Sequence, residues 1–159
     1  QNLLLVAGGI GIAPLVALAE EAIATGHSVI LLIGSETAAE VYPDHLLPSG
    51  CALATSASDR GLRMKGMVTD LLPQFIPGAD QIFACGPLPM YQTMAKMSSQ
   101  FSDKLIQVLM ETVLGCGVGA CLGCSLETKD GLRRVCKDGP VFELGEIVWD
   151  RVVEPGGQI

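Results

Sequence analysis

The first two thirds of the chain alternate between short, continuous apolar runs and segments with helical periodicity. The apolar runs, typical of strands buried on both faces, occupy residues 3–7, 28–33, 51–55, 81–85 and 105–109. Segments typical of helices, some of them short, lie between these runs, over 14–25, 40–47, 68–72 and 91–99. Strands that alternate with helices in this way predict an α/β fold with a doubly wound parallel sheet.

Prolines mark two predicted element ends. We expect Pro73 to end the short helix over 68–72, because proline is unfavourable in a helix interior. We also expect residues 86–90, with the sequence GPLPM, to form a turn between a strand and the helix that follows it.

The pattern changes after about residue 110, where glycines and cysteines replace helical periodicity. Val141-Phe142 and residues 147–149 are apolar groups typical of short strands. We therefore predict two domains, an α/β domain over 1–109 and a small, irregular, β-rich domain over 110–159.

Composition narrows the classes of partner. The net charge is −7, with only 10 Lys and Arg residues, which argues against a nucleic-acid or anionic-membrane surface. Residues 1–19 carry no charge, but their central glycines and Pro14 favour a buried strand, a tight turn and a helix over a membrane span. We expect a cytoplasmic protein that binds neither nucleic acid nor membranes.

Four of the six cysteines form a series in the last third of the chain. Their spacing, Cys116-x4-Cys121-x2-Cys124-x11-Cys136, is the plant-type arrangement for a [2Fe–2S] cluster. Four glycines within and beside the series would let its loop pass close to inorganic sulfides: Gly115, Gly117, Gly119 and Gly123. We expect the fourth thiolate to come from a separate strand. A Cys₄ zinc site and disulfides are the alternatives, although zinc modules usually pair two C-x2-C motifs.

A glycine-rich turn joins the first predicted strand to the first helix. Gly8, Gly9 and Gly11 would let the backbone approach a pyrophosphate, and a helix starting near Pro14 would direct its N-terminal amides at that charge. The match to G-x-G-x-x-G fails at Pro14. A tight turn that binds nothing is the alternative.

A second turn follows the strand that ends at Cys85. Ligands of doubly wound sheets lie over the carboxyl ends of the strands, so Cys85, Gly86 and Pro87 are candidates for contact with a nicotinamide ring. For Cys85 alone, a role as a simple core residue is the alternative.

The third predicted strand leads into the sequence TSASDRG. Ser56, Ser58 and Asp59 are candidates for ribose hydroxyls and Arg60 for a phosphate, with a solvated loop as the alternative. Glu36 lies too far along the chain from the glycines to be the usual ribose-binding acid. These signals do not separate NAD from NADP.

Together these motifs resemble one family. The segments GGIGIAP and CGPLPM, the cysteine series and the ending VCKDGPVFELGEIVWD are similar to the electron-transfer subunit of two-subunit, NAD-linked dihydroorotate dehydrogenases, in the ferredoxin–NADP reductase superfamily. The resemblance implies that Gly8, Gly9, Gly11 and Pro14 line the dinucleotide phosphates and that Cys85, Gly86 and Pro87 flank the nicotinamide. It also implies [2Fe–2S] ligation by the four cysteines of the series: Cys116, Cys121, Cys124 and Cys136.

The resemblance implies an oxidoreductase subunit of pyrimidine biosynthesis in which cofactors carry the chemistry. NADH would reduce FAD, and the cluster would pass electrons to an FMN-containing dehydrogenase subunit, with no side chain acting as acid, base or nucleophile. The family has a flavin-binding barrel before the nucleotide domain, whereas nothing precedes Gln1 here. We therefore expect the isolated chain to be inactive. The alternatives are the electron-transfer subunit of a hydrogenase or sulfite reductase, and a zinc-stabilised binding module.

Overall fold

The computed structural model describes residues 1–57, 66–101 and 104–153. Five parallel strands form its central sheet: β1 (Asn2–Gly8), β2 (Ser28–Ser35), β3 (Cys51–Ala57), β4 (Gln81–Cys85) and β5 (Leu105–Leu109). Their order across the sheet is β3-β2-β1-β4-β5, so the order reverses at β1. The predicted doubly wound parallel sheet is confirmed.

Two apolar layers cover the faces of this sheet. On one face, α1 (Ile12–Ala24) packs Leu15 and Ala19 against Leu5 of β1. On the other face, α2 (Leu72–Phe75) and α3 (Leu88–Lys96) pack against Leu4 and Val6. Since adjacent residues of a strand point to opposite faces, β1 is apolar at every position from Leu3 to Ala7.

The two expectations about proline are wrong. Pro73 lies in the first turn of α2, where its missing N–H would have no helical partner. Residues 88–90 likewise form the start of α3, with Pro89 in its first turn, so only Gly86 and Pro87 lie outside the helix. In both places the proline lies in the first turn of a helix and does not end one.

Two short predicted elements also differ from the structure. Residues 40–47 hold no single helix, because the 3₁₀ turns Ala38–Glu40 and Asp44–Leu46 are separated at Pro43. Residues 147–149 are not a strand: Ile147 makes one bridge to Thr128, and Trp149–Arg151 is a 3₁₀ turn. In that turn the Trp149 indole stacks on Tyr91 of α3, with ring centroids 5.4 Å apart.

The residues after 110 continue the same interior. They form the hairpin of β6 (Ser125–Thr128) and β7 (Gly131–Arg134), the helical turn α4 (Val135–Asp138) and β8 (Val141–Glu143). β8 pairs antiparallel with β5 and becomes the sixth strand of the main sheet. Its Phe142 belongs to the core layer that also contains Leu4 and Val6, so apolar packing is continuous across the predicted boundary. The division into two domains stays a prediction.

Among the described residues, every helix is too short or too polar to span a lipid bilayer.

Candidate nucleotide cleft and cysteine centre

A cavity of about 1000 Å³ opens at the carboxyl ends of β1, β2 and β4. This is the point where the strand order reverses, which is the usual ligand position of a doubly wound sheet. Its walls include residues from three strand ends and two further segments: Gly8, Gly9, Gly11, Gly34, Glu36, Met67, Thr69, Cys85, Gly86, Pro87 and Glu111. The volume is at the upper end of the range for small-molecule pockets, about 300–1,000 Å³.

The three glycines at the end of β1 and in the turn that follows differ in what surrounds them. A Cβ on Gly11 would lie 2.0 Å from the carbonyl oxygen of Cys85, and one on Gly8 would lie 2.7 Å from Cδ of Pro87. At Gly9 the φ angle is +53°, and no atom lies within 4 Å of the Cβ position. Gly8 and Gly11 therefore allow the end of β1 and the start of α1 to pack closely against the turn after β4. Gly9 instead presents bare backbone at the cavity wall.

The helix after this turn starts earlier than expected. α1 begins at Ile12, directly after a 3₁₀ turn over Gly9–Gly11, and both Gly11 and Ile12 line the cavity. The helix N-terminus therefore borders the cavity. Pro14 lies within the first turn of α1, is exposed, and is not part of the cavity wall.

The turn after β4 is held by Tyr91 of α3. Its hydroxyl accepts a hydrogen bond from the Gly86 N–H at 2.9 Å and donates one to the Leu109 carbonyl at 2.7 Å. Burial raises the pKa of Tyr91 above its usual range, and burial also raises the pKa of the neighbouring Cys85 thiol. Both groups are therefore neutral at physiological pH, and Cys85 and Gly86 line the cavity.

The opposite end of the cavity lies beside β2 and β3. Ser56 pairs with the cavity residue Gly34 across the two strands, and its buried Oγ has no hydrogen-bond partner among the residues that the structure describes. Ser56 does not itself line the cavity, and Asp59 lies outside the described residues, together with Ser58 and Arg60.

Glu36 also lines the cavity, although it lies far along the chain from the glycines. The parallel register places Gly34 opposite Gly8, so the residues that follow the two strands converge. Glu36 and Glu40 are both exposed, and the Glu40 carboxylate accepts a hydrogen bond from the Thr37 N–H at 3.3 Å. The parallel register of β1 and β2 is the signal that predicts Glu36 at the cavity wall.

In the cysteine loop, backbone amides point at sulfur. Cys116 Sγ accepts N–H groups of Val118, Ala120 and Cys121 at 3.4, 3.2 and 3.4 Å. These hydrogen bonds, that from Cys121 foremost, lower the pKa of Cys116 to about 6. A thiolate is the form that binds metals, so the loop is organised around a negatively charged sulfur.

The four cysteines form two neighbouring pairs. The Cys121 N–H donates to Cys116 Sγ at 3.4 Å, which joins the first pair. The Cys136 N–H also donates to Cys124 Sγ at 3.5 Å and lowers the pKa of the Cys124 thiol. Cys136 lies in α4 and not in a strand, which corrects that expectation, because the chain turns into a helix directly after β7.

In the part of the chain that the structure describes, no three His, Cys, Asp or Glu side chains converge on the position of a single metal ion.

Sequence comparisons match both parts of the chain. Residues 111–148 match the iron–sulfur cluster binding domain of dihydroorotate dehydrogenase B. The chain is 34% identical over 151 residues to the electron transfer subunit of dihydroorotate dehydrogenase B (NAD(+)) from Geobacillus sp. strain WCH70, and 32% identical over 153 residues to that of Bacillus cereus strain Q1. In both cases 93% of this chain is covered, and it spans 58% of the relative's length.

Solved structures agree on the fold. An NADH-dependent reduced ferredoxin–NADP oxidoreductase, studied for flavin-based electron bifurcation, superposes with a TM-score of 0.83 at 27% identity, over 94% of this chain and 54% of that chain. A flavohemoglobin from Malassezia yamatoensis shares the fold alone, with a TM-score of 0.54 at 22% identity, over 64% of this chain and 29% of that chain. The resemblance that the motifs predict is therefore confirmed: along nearly its whole length, this chain is similar to the electron transfer subunits of dihydroorotate dehydrogenase B, with a ferredoxin reductase-like fold.

Proposed function

We propose that this chain binds NADH and a [2Fe–2S] cluster within an electron transfer subunit of the dihydroorotate dehydrogenase B type. Electrons would pass from NADH through FAD and the cluster to an FMN-containing dehydrogenase subunit. The observation that carries the proposal is the arrangement of the cysteines: three lie on a loop whose amides point at sulfur, and Cys136 of α4 contacts the third, Cys124.

The donor set fits a [2Fe–2S] cluster. Four thiols are the ligands such a cluster requires, and each iron takes two of them. The pairs Cys116–Cys121 and Cys124–Cys136, each joined by an N–H to Sγ contact, would provide two thiols for each iron. A single zinc ion would instead draw all four sulfurs around one point, so the pairing supports iron–sulfur over the zinc-stabilised module.

The loop backbone fits the same group. Gly117 and Gly119 have φ angles of +70° and +79°, which are favourable for glycine. The Cβ position of Gly115 lies 3.1 Å from Cys121 Sγ, so a side chain there would crowd the sulfur, whereas that of Gly123, at 3.4 Å, would be in van der Waals contact with it. The glycines thus leave the sulfur atoms accessible to inorganic sulfide and iron.

The cavity fits a dinucleotide. Gly9 would present its backbone to the pyrophosphate, and the N-terminus of α1 would stabilise that charge. Cys85 and Gly86 would flank the nicotinamide, with Pro87 in the same wall. When bound, the nicotinamide supplies a hydride and the cluster accepts single electrons, which is why FAD belongs between them.

The carboxylates at the β2 end of the cavity support NAD over NADP. Glu36 and Glu40 would repel the 2′-phosphate of NADP, whereas a ribose hydroxyl can donate a hydrogen bond to a carboxylate. Ser56 and Asp59 remain candidates for the same ribose, on the sequence pattern alone.

Metal and sulfide analysis of anaerobically purified protein tests the proposal. We expect about two irons and two sulfides per chain, with the visible absorbance of an iron–sulfur cluster. Cys121→Ser should lose most of this absorbance, because a hydroxyl oxygen is a poorer iron ligand than a thiolate. Cys51→Ser is the matched control, since Cys51 lies at the start of β3 and packs against the layer around α1. Stoichiometric zinc without iron would contradict the proposal.

A further inference from the structure

The Arg134 side chain connects the glycine loop between Cys116 and Cys121 with α4, the helical turn that contains Cys136. Arg134, the last residue of β7, donates from Nη1 to the Gly119 carbonyl at 3.3 Å. Its Nε and Nη2 donate to Oδ2 and Oδ1 of Asp138 at 3.0 and 3.2 Å. The Arg134 backbone N–H also donates to Asp138 Oδ2, at 2.8 Å. The guanidinium therefore contacts the loop between Cys116 and Cys121 and the end of α4 at the same time.

The packing at Gly119 leaves little freedom at this junction. Gly119 is buried, and a Cβ there would lie 2.9 Å from Cδ of Lys137 and 3.3 Å from Nη1 of Arg134. Gly119 therefore packs directly against Arg134 and Lys137, which lie on either side of Cys136 in the chain.

The pair of Arg134 and Asp138 is bidentate, a geometry that guanidinium and carboxylate form and that lysine cannot reproduce. Both side chains are partly exposed, so the pair contributes little through charge attraction alone. Its main physical effect is directional, because it fixes the plane of the guanidinium that faces Gly119.

We propose that Arg134 is a positioning residue for the [2Fe–2S] cluster: it holds the glycine loop against the Cys136 turn and so sets the separation of the two cysteine pairs. The inference rests on the proposed function, since it assumes that the four cysteines bind the cluster. Outer-shell groups of this kind typically change metal retention by about 10- to 100-fold when removed.

The experiment compares four variants of the protein loaded with its cluster. Arg134→Gln removes the charge and the fork, Arg134→Lys keeps the charge only, and the double variant Arg134→Gln/Asp138→Asn leaves no unpaired carboxylate. Arg133→Gln is the matched control, because Arg133 is an exposed neighbour on the same strand. The measurements are the rate of iron release to a chelator and the g values of the reduced cluster in electron paramagnetic resonance, with circular dichroism to verify folding.

We expect all three Arg134 variants to release iron about 10- to 100-fold faster than wild type, with shifted g values, and Arg133→Gln to match wild type. If Arg134→Gln folds poorly, the lysine and double variants carry the same test. Wild-type release rates in the Arg134 variants would overturn the positioning role, as would full rescue by lysine or an equal effect of Arg133→Gln. Absence of a cluster from the wild-type protein would overturn the proposed function and this inference together.

Discussion

Gly11, in the turn after β1, lies so close to Cys85 at the end of β4 that no side chain fits between them. The Cβ of any other residue at position 11 would be 2.0 Å from the Cys85 carbonyl oxygen and 2.8 Å from the Gly86 nitrogen. This contact sets the start of α1 against the turn that follows β4. The cavity wall therefore depends on a glycine that does not itself need to touch a ligand.

Alanine substitutions at Gly11 and Gly9 test packing and ligand binding separately, because each adds a single methyl group. Gly11→Ala should lower the free energy of unfolding by about 1–3 kcal/mol, because the Cβ overlaps backbone. Gly9→Ala should cost about 1–2 kcal/mol through its positive φ, and should weaken NADH binding about tenfold or more. Denaturant unfolding and calorimetric titration with NADH measure the two effects.

Each variant controls for the other. Wild-type affinity in a folded Gly9→Ala protein would show that the pyrophosphate does not pass over Gly9. A Gly11→Ala protein as stable as wild type would contradict the close approach of Gly11 and Cys85.

Tyr91→Phe should destabilise the cavity wall while keeping the aromatic stack on Trp149. The change leaves the Gly86 N–H and the Leu109 carbonyl without their partner, at a cost of about 1–3 kcal/mol. Thermal unfolding measures the loss, and Tyr42→Phe, which removes the same hydroxyl from another part of the cavity wall, is the control. Equal unfolding temperatures for the two variants would contradict a bridging role for Tyr91.

Glu36 should favour NADH over NADPH. Glu36→Gln removes one negative charge from the β2 end of the cavity, so the ratio of the two affinities should fall about threefold to tenfold. Titrations with each dinucleotide measure the ratio, and Glu20→Gln on the exposed side of α1 is the charge-matched control. An unchanged ratio in Glu36→Gln would assign the discrimination to other residues.

The strands were predictable because of how they are buried. A parallel strand covered on both faces must be apolar at nearly every position, and β1 meets this condition from Leu3 to Ala7. The cysteine loop was recognisable for a different reason, since Cys116, Cys121 and Cys124 lie close together in sequence with the spacing of an iron–sulfur motif. In both cases the physical requirement acts on residues that are adjacent in sequence.

The sequence misleads where the physical requirement links residues that are distant in sequence, or where one residue type is compatible with two local structures. Glu36 reaches the cavity through the register of β1 and β2, which no local pattern reports. Proline is unfavourable inside a helix but favourable in its first turn, so Pro73 and Pro89 indicate an element boundary without its direction. The sequence pattern does not indicate Arg134, because its contacts with Gly119 and Asp138 form only in the folded chain.

We propose that the paired cysteines hold two irons and that the resulting cluster transfers one electron at a time. Electron paramagnetic resonance of the anaerobically purified protein, before and after reduction with dithionite, tests it most directly. We predict no signal from the oxidised protein and, after reduction, a signal that integrates to about one unpaired electron per chain, as for a [2Fe–2S] centre. A protein that stays silent after reduction while holding stoichiometric zinc would contradict the account.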